Sequence, residues 1–130
     1  MSLSEEERKA IVNLEIEKAE NTFVQVGKLM ELGYWDTVAN RLYYSVFHAA
    51  TALLINDGHQ VNTHKGIIAL LGQHYVKTNK LSSADGRLYS DLQSMRNNSD
   101  YNCSYDATEE EIFPLVPKVR TFIENVKALI

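Results

Sequence analysis

The chain has 130 residues, 45% hydrophobic and 23% charged, which suits one globular domain over residues 1–130 with room for a proper core. Thirteen Lys and Arg against seventeen Asp and Glu leave a formal net charge of -4, which excludes a protein that grips nucleic acid by bulk positive charge, so any RNA contact has to be local. One cysteine, Cys103, excludes an internal disulfide and points to a reducing compartment, the cytoplasm.

The start, MSLSEEERK, lacks the basic and apolar regions of a signal peptide, and no apolar run approaches the ~18 residues of a membrane span. Ser4 and Glu7 have the spacing of a capping box, with Leu3 as its hydrophobic staple, and predict the start of a first helix. Val12, Ile16, Ala19, Phe23, Val26 and Met30 then recur at four- and three-residue steps, a seam for lengthwise packing, until Gly33 ends the helix.

Asn40 to Ile55, NRLYYSVFHAATALLI, has neither Gly nor Pro and is apolar on almost every face. It reads as a central, wholly buried helix with Tyr43, Val46, Phe47 and Ala50 in the core and Asp36 in its first turn, well placed against the helix dipole. Arg41, Tyr44, Ser45 and His48 follow at three- and four-residue steps and form one polar stripe. Two readings stand: the stripe hydrogen-bonds to neighbouring helices, or it lines a cleft that holds RNA or a nucleotide.

Asn56-Asp57-Gly58 is a turn cluster, after which Asn62 or Thr63 caps a third helix with Ile67, Ile68, Leu71 and Tyr75 on one face. His64 and Lys65 stand in its first turn, where a helix N-terminus and a cation together attract an anion. Val76 to Ser83 reads as a surface connection, and Ser82 or Ser83 caps a fourth helix with the seam Leu88, Leu92 and Met95. Its signal fades near Asn97, and the turn formers of NNSDYNCSYDA predict a turn or loop. Thr108 with Glu111 is a second capping box ahead of Ile112, Leu115, Val119, Phe122, Ile123, Val126 and Ile130, while Pro114 and Pro117 predict a kink or a late start.

No strand-like alternation occurs, so the expected fold is all-α: four or five helices, mostly antiparallel, around the Asn40 to Ile55 helix. No Cys/His spacing suits zinc, and no Gly-rich phosphate loop or pair of catalytic carboxylates can be assembled, so neither metal nor cofactor is expected. The stretch RNNSDY, Arg96 to Tyr101, is the second candidate site, its plainest reading being an Arg96 to Asp100 ion pair at i,i+4.

NRLYYSVFHAATALL, then THKGI, then a helix ending in Arg96 with Asp100 and Tyr101 behind it, resembles the HEPN domain, and within it the small stand-alone bacterial and archaeal proteins of the UPF0332 type. The resemblance runs from Glu15 to Leu129. It implies a five-helix, up-and-down bundle that dimerises, and in many members a metal-independent ribonuclease whose cleft joins an arginine, the polar residue after it and a later histidine from two subunits. Arg96 and Asn97 match the first two parts, but Tyr101 stands where the histidine would fall and no His follows Arg96.

A tyrosine with a pKa near ~10 is a poor base at neutral pH, so cleavage is expected to be weak or absent. Arg96 and Tyr101 remain the catalytic candidates, with Asn97, Asp100, Arg41, Tyr44, His48, His64 and Lys65 as binding candidates. His48 can replace the missing histidine only if the fold brings it near Arg96. The resemblance further implies a homodimer acting as the toxin half of a toxin-antitoxin pair, beside a minimal nucleotidyltransferase. The competing expectation is a non-catalytic assembly protein whose polar residues only specify packing and dimerisation.

Overall fold

The computed structural model describes residues 3–61, 63–101 and 106–130, the side chains of Lys65 and Tyr101 excepted. Ser4 caps α1 (Glu5–Glu31) with the full capping box, its side chain accepting from the Glu7 amide while Glu7 accepts from the Ser4 amide. Leu3 is exposed, so the expected staple adds little burial. Val12, Ala19 and Val26, seven apart, are buried, with Ile16, Phe23 and Met30 packed beside them. Gly33 closes the helix at φ +74°, where its amide donates to Met30 O and that of Tyr34 to Leu29 O, a Schellman motif.

α2 (Trp35–Asn56) returns antiparallel to α1: Arg8 donates to the Ile55 carbonyl, and seven residues on, Glu15 meets His48 seven residues back. Its second half, Ala49 to Leu54, is buried all round. The three alanines there remove side-chain bulk, so α2 can be enclosed by its neighbours. The first half departs from the expectation of a wholly buried helix. Asn40, Arg41, Tyr44, Phe47 and His48 share a half-buried stripe, and Phe47, expected in the core, is part of that open face.

Gly58, at φ +84°, ends α2 with a second Schellman motif, its amide donating to Ile55 O and that of His59 to Leu54 O. Thr63 accepts from the Gly66 amide and so caps α3 (His64–Leu71), which runs on through a π-helical turn at Gly72–Val76; Asn62, the other cap candidate, lies outside the described residues. Ser82 rather than Ser83 caps α4 (Ser83–Tyr101), exchanging hydrogen bonds with Asp85. Asp85 is buried and also accepts from Asn125, tying the start of α4 to the last helix.

The expected break near Asn97 does not occur. α4 continues to Tyr101, because the turn-forming side chains of Asn97 and Asn98 point to solvent and cost little helix propensity there. The rest of the expected turn, 102–105, lies outside the described residues. Thr108 caps the short α5 (Glu109–Ile112), and α6 (Leu115–Leu129) starts late, with Pro114 as its N-cap. Pro117 falls in its first turn, where the amide has no intrahelical partner to lose.

Val119, Phe122, Ile123 and Val126 of α6 close the core against α2, Tyr89 and Leu92. Arg120 and Lys127 pair with Glu20 of α1 across the seam. The described residues form an all-α bundle without strands, and no helix among them is long and apolar enough to cross a membrane.

Candidate functional site

Tyr44 lies at the middle of the open stripe of α2, and two guanidinium groups converge on its ring. Arg41, from the previous turn, has Cζ 5.6 Å from the ring centroid, and Arg96, from α4, has Cζ 5.7 Å from it. Arg96 also lies 5.5 Å from the Tyr43 centroid. Cations are drawn to the negative face of an aromatic ring, which offsets part of the repulsion between the two arginines. Their other partners are modest. Arg41 donates through Nε and Nη2 to the neutral amide oxygen of Asn40, at 3.1 and 2.6 Å. Arg96 Nε is 3.1 Å from Asp100 Oδ2, an ion pair that misses hydrogen-bond geometry, with an Asp100 side chain 39% exposed.

Imidazoles flank the same rings. His48, one turn after Tyr44, places Nδ1 2.7 Å from Glu15 Oε2 and packs against Phe47 and Tyr44. His64, the first residue of α3, stacks on Phe47 with centroids 4.3 Å apart and planes 5° apart, and its Nδ1 is 2.6 Å from the Tyr43 hydroxyl. Burial, then the charge of Arg96 and that of His48, holds the pKa of His64 below the ordinary histidine value. Burial raises the Tyr43 pKa, with the Tyr89 hydroxyl and the Arg96 charge acting in the other direction. Fixed cations and imidazoles on an aromatic floor can hold an anion and exchange protons with it.

The fold thus brings together Arg41, Tyr44, His48, His64, Arg96 and Asp100 of the expected residues. Ser45 leaves the expected stripe: it is buried, and its hydroxyl donates back to the Arg41 carbonyl at 2.9 Å. Asn97 is exposed on α4, about 100° round the helix from Arg96, and does not join the cleft within this chain. Tyr101 is on the same helix, about 140° round from Arg96; its side chain, like that of Lys65, lies outside the description. A depression of about 260 Å³ beside Arg96 is lined by Asp36, Thr37, Asn40, Ser99 and Asp100. Two roomier ones lie elsewhere, one with Arg8 and Lys9 in its lining and one between α4 and α6 with Arg87 and Lys118.

Three participants were not singled out for the site from the sequence. Glu15 lies outside the apolar seam expected of the first helix, and Tyr43 and Phe47 are expected in the core. Only the register of α1 against α2 reveals that Glu15 meets His48, and only the position of α3 shows what Tyr43 and Phe47 carry.

Bundle and cleft together define an α-helical domain with an arginine-histidine cluster at the meeting of α2, α3 and α4. The HEPN domain matches residues 12–129, and the chain belongs to that family. Among its relatives are a UPF0332 protein of Thermotoga maritima, 29% identical over 94 residues that cover 72% of this chain and 71% of the relative. Two proteins of Methanocaldococcus jannaschii are also similar: "Putative toxin MJ0142", 27% identical over 86% of this chain and 76% of the relative, and "Putative toxin MJ0605", 31% identical over 72% and 69%.

Proposed function

We propose that this chain is a toxin-type HEPN protein that binds the phosphates of RNA or of a nucleotide at the Arg41 and Arg96 pair. The observation that carries this reading is the convergence of two guanidinium groups on the Tyr44 ring, where the bonded partners among the described residues are the Asn40 amide and the half-exposed Asp100 carboxylate. Two like charges on one ring are relieved by an anion, and the planar fork of arginine matches phosphate oxygens. The toxin names of the Methanocaldococcus relatives support the same reading. A homodimer, and a minimal nucleotidyltransferase as partner, belong to it through the family. Cleavage by Arg96 and Tyr101 alone is weak or absent, since no histidine follows Arg96.

The test is fluorescence anisotropy with a labelled single-stranded 2′-deoxy oligonucleotide, which binds without being cut. Arg41→Ala and Arg96→Ala are each expected to weaken binding by ~1.5 to 3 kcal/mol, the range for a hydrogen bond to a charged group, while thermal melting stays nearly unchanged. A competing reading, a non-catalytic assembly protein, draws on the fact that His48 and Arg96 both have acidic partners inside the chain. It is favoured if both variants lose stability and neither alters oligonucleotide affinity.

A further inference from the structure

The groove between α4 and α6 shares no residue with the depression beside Arg96, and its volume of about 410 Å³ falls in the range of ~300 to 1,000 Å³ typical of small-ligand sites. A charge lies deep in its lining. Asp85, from the first turn of α4, is only 6% exposed and so is largely withdrawn from water. Both hydrogen bonds that it accepts come from neutral donors and fall on Oδ2: the Asn125 side-chain amide at 3.0 Å and the Ser82 backbone amide at 3.4 Å. Among the described residues no cationic side chain lies within ion-pair distance of it. Oδ1 keeps its accepting capacity, and in so buried a place a cation there is worth more than at the surface.

Cations line the same groove without meeting that carboxylate. Lys118 of α6 and Arg87 of α4, both exposed, make no ion pair among the described residues. Asn125 touches Asp85 and Lys118 precedes Asn125 by seven residues, so the root of the Lys118 side chain lies about 10 Å of helical rise along α6 from that contact. Leu88 and Leu115 supply apolar surface, one from each helix.

We propose that this groove binds a free short peptide of about three residues, its α-ammonium group on Asp85 and its carboxylate on Lys118. An extended chain advances ~3.3 to 3.6 Å per residue, so three residues bridge ~10 Å and a single amino acid does not. The ammonium gives Asp85 the cationic partner that the protein does not supply, and the carboxylate does the same for Lys118. Aliphatic side chains of the peptide cover Leu88 and Leu115 and keep water from the two ion pairs, which strengthens both. Asp91, exposed on the α4 wall, is a weaker site for the ammonium, because a water-facing carboxylate gains little from a cation.

The experiment titrates the isotope-labelled full chain with the free tripeptide Leu-Ala-Leu and follows its backbone amide resonances. Saturable shifts are expected on α4 and α6 around Asp85 and Lys118. N-acetylation removes the ammonium charge and is expected to weaken binding about 10-fold or more, the loss that goes with a hydrogen bond to a charged group; C-terminal amidation is expected to weaken it several-fold. Asp85→Asn should lose as much with the free peptide as acetylation does, and little more with the acetylated one. Because Asp85 also caps α4, melting is followed in parallel, and Lys118→Ala tests the other end on an exposed side chain. That variant is expected to bind the free peptide several-fold more weakly and the amidated peptide no differently from wild type, while Asp91→Asn changes affinity less than about twofold. Equal affinity for free and acetylated peptides, undiminished binding by Lys118→Ala, no saturable shift with the free peptide, or shifts centred on Tyr44 would each overturn the proposal.

Discussion

His64 shows most directly how neighbours set the chemistry of one side chain here. Burial and the charges of Arg96 and His48 disfavour its protonated form, so its folded pKa lies below that of the unfolded chain. Its contribution to stability is therefore complete above the ordinary histidine value near ~6.5 and is lost as pH falls through the lower, folded value. His64→Gln is expected to flatten the decline in melting temperature over that acidic window, and a nuclear magnetic resonance titration of the imidazole should give a midpoint below ~6.5. A midpoint at or above the ordinary value would contradict the arrangement. Little of this was legible beforehand. Arg41, Tyr44 and His48 declare themselves by helical spacing, but Glu15 lies 33 residues from His48 and Tyr43 lies 21 from His64, and such pairings appear only once the helices are docked.

Among the elements, the ends of α1 and α2 were readable because glycine at a left-handed position has a single backbone reason. At Gly33 a built Cβ would meet nothing within 4 Å, so Gly33→Ala isolates the backbone penalty from any clash. It is expected to cost ~1 to 2 kcal/mol in urea denaturation with an unchanged m-value. The capping box at Ser4, the single cap at Thr108 and the late start of α6 were readable for the same kind of reason, since Ser4, Thr108, Pro114 and Pro117 act within one turn. The end of α4 was not. Asn97, Asn98, Ser99 and Asp100 look like a turn by composition, yet the seam of Leu88 and Leu92 and the i,i+4 pair of Arg96 with Asp100 lie on one uninterrupted helix. That continuity places Tyr101 about 140° round the helix axis from Arg96, and the imidazoles that flank the Tyr44 and Phe47 rings come from α2 and α3.

At the scale of the whole molecule, a net charge of -4 works against binding a polyanion, and the cleft must overcome that with a few groups. A homodimer would present two such clefts, and sedimentation is expected to show it; a monomer at high micromolar concentration would refute that part of the reading. The charge argument also gives a quantitative test of how many groups take part. Each single-strand phosphate that is neutralised adds ~0.7 to the slope of log affinity against log salt, so Arg41 and Arg96 acting together in one protomer predict a slope of about -1.4 for the deoxy oligonucleotide. Arg96→Ala should reduce it to about -0.7, leaving one phosphate contact. A slope several times steeper would mean a diffuse basic surface, which the composition does not supply. A slope near zero would mean that the convergent guanidinium groups on Tyr44 do not meet phosphate at all.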